Sequence, residues 1–168
     1  MPQPYTHPMD AERLRAFLLT LPHVTETMQW GNNLVYWVGD KAIGGKMFAL
    51  INLDIPEAAS ERSIRILSYA AGPERYPELL ELDGLYPAPY AARNHWVAAQ
   101  HWQVFTNADW ETQLRNAHAV IFNKLPPRTK AVLSMPATQR KKLIADRRKL
   151  LAGRKKLATT ARPLHPNK

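Results

Sequence analysis

The chain has 168 residues, 45% of them hydrophobic, which is enough to bury a core and excludes a wholly disordered protein. It contains no cysteine, so disulfides, thiolate zinc sites and cysteine nucleophiles are excluded as well. The net charge of +9 is unevenly distributed, because residues 1–125 hold 10 Lys and Arg against 13 Asp and Glu, whereas residues 126–168 hold 13 Lys and Arg and one acid, Asp146. A mildly acidic body therefore carries a basic C-terminal segment, a pattern that points to a polyanion partner.

The N-terminal residues carry no export signal that we recognise. They read MPQPYTHPMDAERLRAF, without the basic region and the apolar region of a secretory signal. No apolar run approaches the roughly 20 residues that span a bilayer. We therefore expect a soluble, cytoplasmic protein.

The first half of the chain predicts one helix followed by short strands. Asp10 is placed to cap a helix whose apolar residues have helical spacing and which ends at Pro22. Turn residues at 31–33 and 39–40 predict antiparallel hairpins. The β-like segments, rich in β-branched and aromatic residues, are 25–30, 34–38, 46–52 and 63–69.

The second half predicts more helix. A short helix lies within 73–82, a strand is expected over 94–105, and the clearest helix is capped by Thr106 or Asn107 and ends before Pro126. Residues 139–151 have the composition of a further helix, and the sequence from Gly153 onward looks unstructured.

This order of elements predicts an α+β fold, an antiparallel sheet with helices packed on one face, plus a basic C-terminal helical extension. We divide the chain into an N-terminal arm (1–9), an α+β domain (10–127) and a basic tail (128–168) that is partly helical and then disordered.

The sequence offers no recognisable catalytic motif. Residues 39–46, GDKAIGGK, are similar to a phosphate-binding loop, but the glycine spacing is wrong and Met47 stands where Ser or Thr should hold magnesium. The carboxylate pairs Glu78/Glu81 and Asp109/Glu111 fit a solvated helix and a helix N-terminus. We therefore expect no enzyme activity and no cofactor.

The dipeptide His-Trp occurs twice, at residues 95–96 and 101–102. In one continuous strand, both histidines would share one face and both tryptophans the other. Six residues of strand span roughly 20 Å, so the two imidazoles cannot bind one metal ion directly. We expect Trp96 to pack in the core and His95 to lie near the open face.

Several short motifs resemble, in order and spacing, those of the MmcQ/YjbR family. The motifs are Leu21-Pro-His-Val-Thr-Glu26, Gln29-Trp-Gly31, Leu34-Val-Tyr-Trp-Val38, Lys46-Met-Phe-Ala-Leu50, Asn94-His-Trp96 and Asn123-Lys-Leu-Pro126. The resemblance covers about residues 10–130 and implies a fold similar to CyaY, which is frataxin-like, in a family labelled DNA-binding. The chain departs from the family in having Arg65 where a lysine is usual and in its longer basic C-terminus.

Frataxin-like iron binding does not follow from this resemblance. It would need a ridge of carboxylates, and the first helix offers only Asp10 and Glu12, next to Arg13 and Arg15. We predict no metal site.

We predict a non-enzymatic protein that binds DNA or another polyanion through largely non-specific phosphate contacts. The alternative is a ligand- or protein-binding module with no nucleic-acid role, in which Tyr36, Trp37, Tyr69, Tyr90 and Trp96 line a groove. The predicted nucleic-acid contacts are Lys46, Arg65, Arg93 and His95 on the body and Arg140, Lys141, Lys142, Arg147, Arg148, Lys149, Arg154, Lys155 and Lys156 on the tail.

Overall fold

The computed structural model describes residues 7–54 and 65–160, with side chains described through residue 158. Within these ranges the fold is α+β, as predicted, and the first part of the predicted strand 63–69 lies outside them. The helices are α1 (Ala11–Leu18), α2 (Tyr76–Leu79), α3 (Asn107–Lys124), α4 (Pro127–Leu133) and α5 (Ala137–Thr160). The strands are β1 (Val24–Gln29), β2 (Asn33–Val38), β3 (Lys46–Asn52), β4 (Leu67–Ala70), β5 (Leu85–Pro87) and β6 (Trp96–Ala99).

The described strands form one sheet in the order β1-β2-β3-β4-β6-β5, and every neighbouring pair is antiparallel. The hairpins β1–β2 and β2–β3 confirm the two predicted turns. β5 was not predicted, because it has only three residues and ends at a proline.

Helix α3 packs on one face of the sheet, against β2, β3 and β4. Its N-terminus is capped by the Thr106 hydroxyl, which accepts a hydrogen bond from the Asp109 amide at 3.2 Å. Trp110 is fully buried, and it packs edge-to-face against Tyr69 of β4. Because Leu114, Ala117 and Ile121 follow at helical spacing and are also buried, the apolar stripe read from the sequence is the core-facing side of α3.

A β-bulge decides which side chains face the helices. Tyr36 pairs with Ala49 but Trp37 pairs with Met47, so Phe48 is the extra residue on β3. Phe48 then contacts the ring of His118 on α3. Trp37 faces the opposite side of the sheet, which we call the open face.

The predicted strand over 94–105 is wrong at both ends. β6 has four residues and lies between 3-10 turns at Ala92–Asn94 and Trp102–Val104, and the intervening His95 has a φ of +59°. The strand ends at Ala99 because neither β4 nor β5 pairs beyond it. The Trp102 ring packs instead against Trp110, whose indole N–H donates to the Trp102 carbonyl at 2.8 Å.

The C-terminal segment is more helical than predicted. Pro126 and Pro127 do end α3, but Pro127 is also the first residue of α4, a position that a proline tolerates well. The expectation of an unstructured chain from Gly153 onward is wrong for residues 153–160, which continue α5. One glycine costs a helix about 1 kcal/mol relative to alanine, and the Arg, Lys and Leu residues that follow favour the helical state. No helix in the described part of the chain is long and apolar enough to cross a membrane.

Candidate functional sites: a basic helix and an open-face groove

Helix α5 contains a heptad repeat. Residues 140–146, 147–153 and 154–160 read RKKLIAD, RRKLLAG and RKKLATT, so three basic residues and a leucine recur every seven positions. Seven residues make nearly two helical turns, and equivalent positions therefore form rows that drift by about 20° per heptad. The nine predicted tail contacts thus lie in three rows along one helix, with successive clusters about 10 Å apart.

The first half of α5 is anchored to the body. The guanidinium of Arg148 forms an ion pair with Asp40, a buried carboxylate that also accepts a hydrogen bond from the Ala42 amide at 2.8 Å. The hydrogen bond from Arg148 to Asp40 raises the pKa of the guanidinium. Arg140 donates to the carbonyl of Met135 at 3.1 Å. These contacts orient α5 relative to the sheet.

The second half of α5 is exposed on all sides. Every residue from 149 to 158 is exposed, including Leu150 and Leu151 at 47% each. The basic row that contains Arg147 lies between the row of Leu143 and Leu150 and the row of Ile144 and Leu151, so arginines interrupt the apolar surface. The helix therefore has no continuous apolar face.

The open face of the sheet carries a groove of about 860 Å³, bounded by the β1–β2 turn and the segment 88–96. This volume is within the usual range for small-molecule sites. Trp37 and Trp96 line it from within the sheet and are buried, whereas Trp30 and Tyr90 line it from its rim and are 65% and 104% exposed. The groove therefore has aromatic rings in its floor and at its mouth.

Two residues that line the groove each have one buried polar atom without a hydrogen-bond partner. These atoms are the Ser68 hydroxyl oxygen, on a side chain that is 4% exposed, and Oδ1 of Asn33. Ser68 pairs with Leu50 on one side and Ala98 on the other, at the middle of the sheet. Buried polar groups without partners are rare in folded proteins because each costs desolvation free energy.

The groove is positively charged. Lys46 and Arg65 line it, as does Lys124 at the last turn of α3. The Lys46 ammonium lies 3.5 Å from the Lys124 carbonyl, which places both residues at the same end. None of its described lining residues is acidic.

The structure brings together only some of the residues on the body that were predicted to contact nucleic acid. Lys46 and Arg65 share the groove. Arg93 is exposed on a 3-10 turn beside it, and the His95 ring packs edge-to-face against Tyr76, with 5.3 Å between ring centroids. His95 therefore contacts Tyr76 and is not a groove residue.

Three of the five aromatic residues predicted to line a groove do line one. Trp37, Tyr90 and Trp96 line the open-face groove. Tyr36 and Tyr69 lie on the helix side, where their hydroxyls donate to Glu26 at 2.7 Å and to Gln113 at 3.0 Å. Burial raises the pKa of both tyrosines.

No group of three or more His, Asp or Glu within residues 7–54 and 65–160 is arranged to hold a metal ion. The two His-Trp histidines also differ in environment, because His101 packs over Gly84 while His95 contacts Tyr76.

The family comparison agrees with the resemblance found in the sequence. The YjbR family model matches residues 19–120, which is more than half of the chain. The protein belongs to the YjbR family. The matched YjbR region contains most of the groove, whereas Lys124 and the whole of α5 lie beyond it.

No curated protein and no solved structure gives a significant match to this YjbR chain. The likeness to CyaY therefore stays a prediction.

Sequence reasoning missed two features of this YjbR protein. The heptad repeat of α5 is visible in the sequence at a period of seven, although only its basic triplets were recognised. The contributions of Trp30, Asn33, Ser68 and Lys124 to the groove have no such signal, because these residues lie on separate elements.

Proposed function

We propose that the protein binds DNA without catalysing a reaction, and that α5 makes sequence-independent contacts to phosphates. The observation that carries this proposal is the heptad repeat, which places nine Lys and Arg residues on one 24-residue helix with a single acid, Asp146. Duplex DNA carries one negative charge per about 1.7 Å of axis, and basic side chains that neutralise these charges release counterions.

The geometry of α5 suits extended contact with a polyanion. A helix of this length is about 36 Å long, and its basic clusters recur about every 10 Å. Lys141, Lys142 and Lys149 are exposed, while Arg148 is paired with Asp40 and holds the helix in place. Gln139, which precedes the first basic cluster, is the one Asn or Gln on α5, so we expect mainly phosphate contacts and little sequence preference.

A membrane surface is the competing partner for a basic helix, and the arrangement of α5 disfavours it. Helices that lie in a bilayer interface have one continuous apolar face and one basic face. Arginines interrupt the apolar rows of α5, and basic residues occupy three rows around it. Contact with phosphate groups, by contrast, requires positive charges but no continuous apolar face.

The test is a titration of labelled duplex DNA with the full chain at several salt concentrations. Each lost phosphate contact should lower the magnitude of the slope of log affinity against log salt by about 1. The double variant Lys141→Gln/Lys142→Gln should therefore reduce it by about 2. A charge-matched control, Arg75→Gln/Arg115→Gln, changes exposed residues of the body and should leave the slope unchanged.

If the two double variants lowered the salt slope equally, α5 would act only through the net charge of the protein, and this would contradict the proposal. Absence of binding to DNA at low salt would contradict it directly. Tighter binding to anionic phospholipid vesicles than to DNA would assign α5 to a membrane surface instead.

The groove supports a second candidate function, that of a ligand-binding module. The observation that favours it is the pair of unpartnered polar atoms on Ser68 and Asn33 in a cavity of small-molecule size. This function does not depend on α5, so a single protein can carry both.

A further inference from the structure

We propose that the groove on the open face binds a free mononucleotide, with its base between the aromatic side chains and its phosphate on the basic end. This inference names the ligand of the second candidate function and does not depend on DNA binding by α5. Three independent features of the groove carry it: strained aromatic residues at the rim, unpartnered polar atoms on residues that line it, and cations with no acidic residue among the described lining.

The rim residues are held in an unfavourable backbone conformation. Trp30 has a φ of +50° and Tyr90 a φ of +64°, a region that bulky L-residues rarely adopt. Both are among the most exposed aromatic side chains of the described residues, so burial in the core does not offset the strain. Backbone strain of this kind clusters at ligand-binding sites. The two rings lie at the mouth of the groove, where a planar ligand would stack on them.

Asn33 connects the strained rim to the interior. Its side-chain amide donates to the Trp30 carbonyl at 2.7 Å and so stabilises the turn that carries Trp30. The same contact fixes the orientation of this groove-lining side chain, whose Oδ1 atom is buried and has no partner. Oδ1 accepts hydrogen bonds, so a ligand that reaches it must offer an N–H or O–H donor.

Ser68 adds a second polar atom between the aromatic walls. Its hydroxyl can donate or accept, and its neighbours across the strands, Leu50 and Ala98, offer no side-chain hydrogen bond. A ring that carries both donors and acceptors satisfies Ser68 and Asn33 together. Nucleobases have such ring edges, whereas a plain aromatic acid has none.

The basic residues select an anion. Lys46, Arg65 and Lys124 line the groove and no described lining residue is acidic, so a negatively charged group gains attraction without repulsion. Lys46 and Lys124, which lie at the same end of the groove, match the charge and the acceptor oxygens of one phosphate group, whereas Arg65 lies beside Asn52 at the other end of β3. A planar heteroaromatic ring joined to a phosphate therefore fits every polar feature of the site.

The test is calorimetric titration of the full chain with adenosine monophosphate and, separately, with adenosine and with inorganic phosphate. We expect saturable binding of the mononucleotide, and binding at least tenfold weaker for each of the two fragments. Trp30→Ala and Lys124→Gln change exposed side chains and should each weaken mononucleotide binding at least tenfold. Met28→Ala, which shortens an exposed side chain on β1, and Arg75→Gln are the matched controls and should leave binding unchanged.

The results separate this site from α5. Lys141→Gln/Lys142→Gln should retain full mononucleotide binding even if it loses DNA binding, and loss of both would place the phosphate on α5 and overturn the proposal. Absence of mononucleotide binding at millimolar concentration would overturn it as well. The proposal would also be overturned if a short single-stranded oligonucleotide bound through Trp30 while no mononucleotide bound. The ligand of the groove would then be an unpaired nucleotide within a strand.

Discussion

The Ser68 hydroxyl is a buried polar group whose removal should stabilise the protein. It lacks a hydrogen-bond partner, and such a group costs about 1 to 3 kcal/mol of desolvation free energy. We expect Ser68→Ala to raise the free energy of unfolding by about 1 kcal/mol, measured by urea denaturation. The same variant should weaken mononucleotide binding, so stability and binding would change in opposite directions.

Thr129 provides the contrasting case. Its side chain is also buried, but its hydroxyl donates to the Ile43 carbonyl at 2.7 Å. Thr129→Val removes that donor at similar volume and should lower the free energy of unfolding by about 1 to 2 kcal/mol. If Ser68→Ala destabilised the protein as Thr129→Val does, the Ser68 hydroxyl would have a partner and the argument for a ligand would lose one of its three features.

Glu26 should make stability depend on pH. Its carboxylate accepts hydrogen bonds from Arg15 at 2.8 and 3.0 Å and from the Tyr36 hydroxyl at 2.7 Å. The Arg15 hydrogen bond lowers the pKa of Glu26 below its ordinary value of 4.5, and the Tyr36 hydrogen bond lowers it further, against the opposing effect of burial. A carboxyl with a lowered folded-state pKa stabilises the fold above its unfolded pKa, and the stabilisation is lost as the pH falls through the folded value.

We therefore expect Glu26→Gln to lower the free energy of unfolding by about 1 kcal/mol at pH 7 and by progressively less below pH 4.5. Denaturation curves of both proteins between pH 7 and pH 3 measure the difference. Glu78→Gln, on an exposed residue of α2, is the control and should show no such trend. If the difference in free energy of unfolding between the two proteins grew as the pH fell, this would contradict the lowered pKa of Glu26.

At the scale of elements, local sequence signals predicted the long helix well and the short strands poorly. The cap at Thr106, the apolar period and the proline pair all lie within α3 or next to it, so its bounds were predictable. The first and last residues of β5 and β6 are set by the pairing of these strands with each other and of β6 with β4. Residues 100–105 alternate as a strand would, but the contact between Trp102 and Trp110 replaces that conformation with a turn.

The β2–β3 connection should tolerate no side chain at Gly45. A Cβ there would lie 2.0 Å from the Gly39 carbonyl oxygen, a backbone atom that cannot move aside. We expect Gly45→Ala to lower the free energy of unfolding by several kcal/mol, roughly as other severe steric changes do. A Cβ at Gly153 in α5 would meet no atom within 4 Å, so Gly153→Ala should stabilise its helix by about 1 kcal/mol.

Thermal melting of the two alanine variants by circular dichroism checks this prediction. Similar melting temperatures would show that the 39–45 turn rearranges to admit a side chain. That result would also remove the physical reason for a glycine at this position.

At the scale of the whole molecule, the sequence predicted the distribution of charge but not the groove. Charge is a sum over residues, so the basic C-terminal segment is apparent without coordinates. The groove depends on the register of β2, β3 and β4, which brings Asn33, Leu50 and Ser68 to one face, and on the distant Tyr90 and Lys124. No spacing along the chain encodes that combination.

The ion pair between Arg148 and Asp40 should decide how firmly α5 is held on the body. Arg148→Gln leaves the buried Asp40 carboxylate with its Ala42 hydrogen bond alone. Because the Arg148 side chain is 62% exposed, we expect a loss of only about 1 kcal/mol, confined to the docked half of α5. Amide hydrogen exchange in residues 140–148 should then be about fivefold faster, with exchange in α3 unchanged.

Lys149→Gln removes an exposed charge of α5 next to Arg148 and is the matched control, with no expected change in exchange. Faster exchange in α3 as well would mean that Arg148 supports the whole domain. Unchanged exchange in residues 140–148 would mean that other contacts hold the helix. If the prediction is correct, Arg148→Gln should also weaken DNA binding by more than Lys149→Gln does, because a loosened helix loses conformational freedom each time it binds along the phosphate backbone.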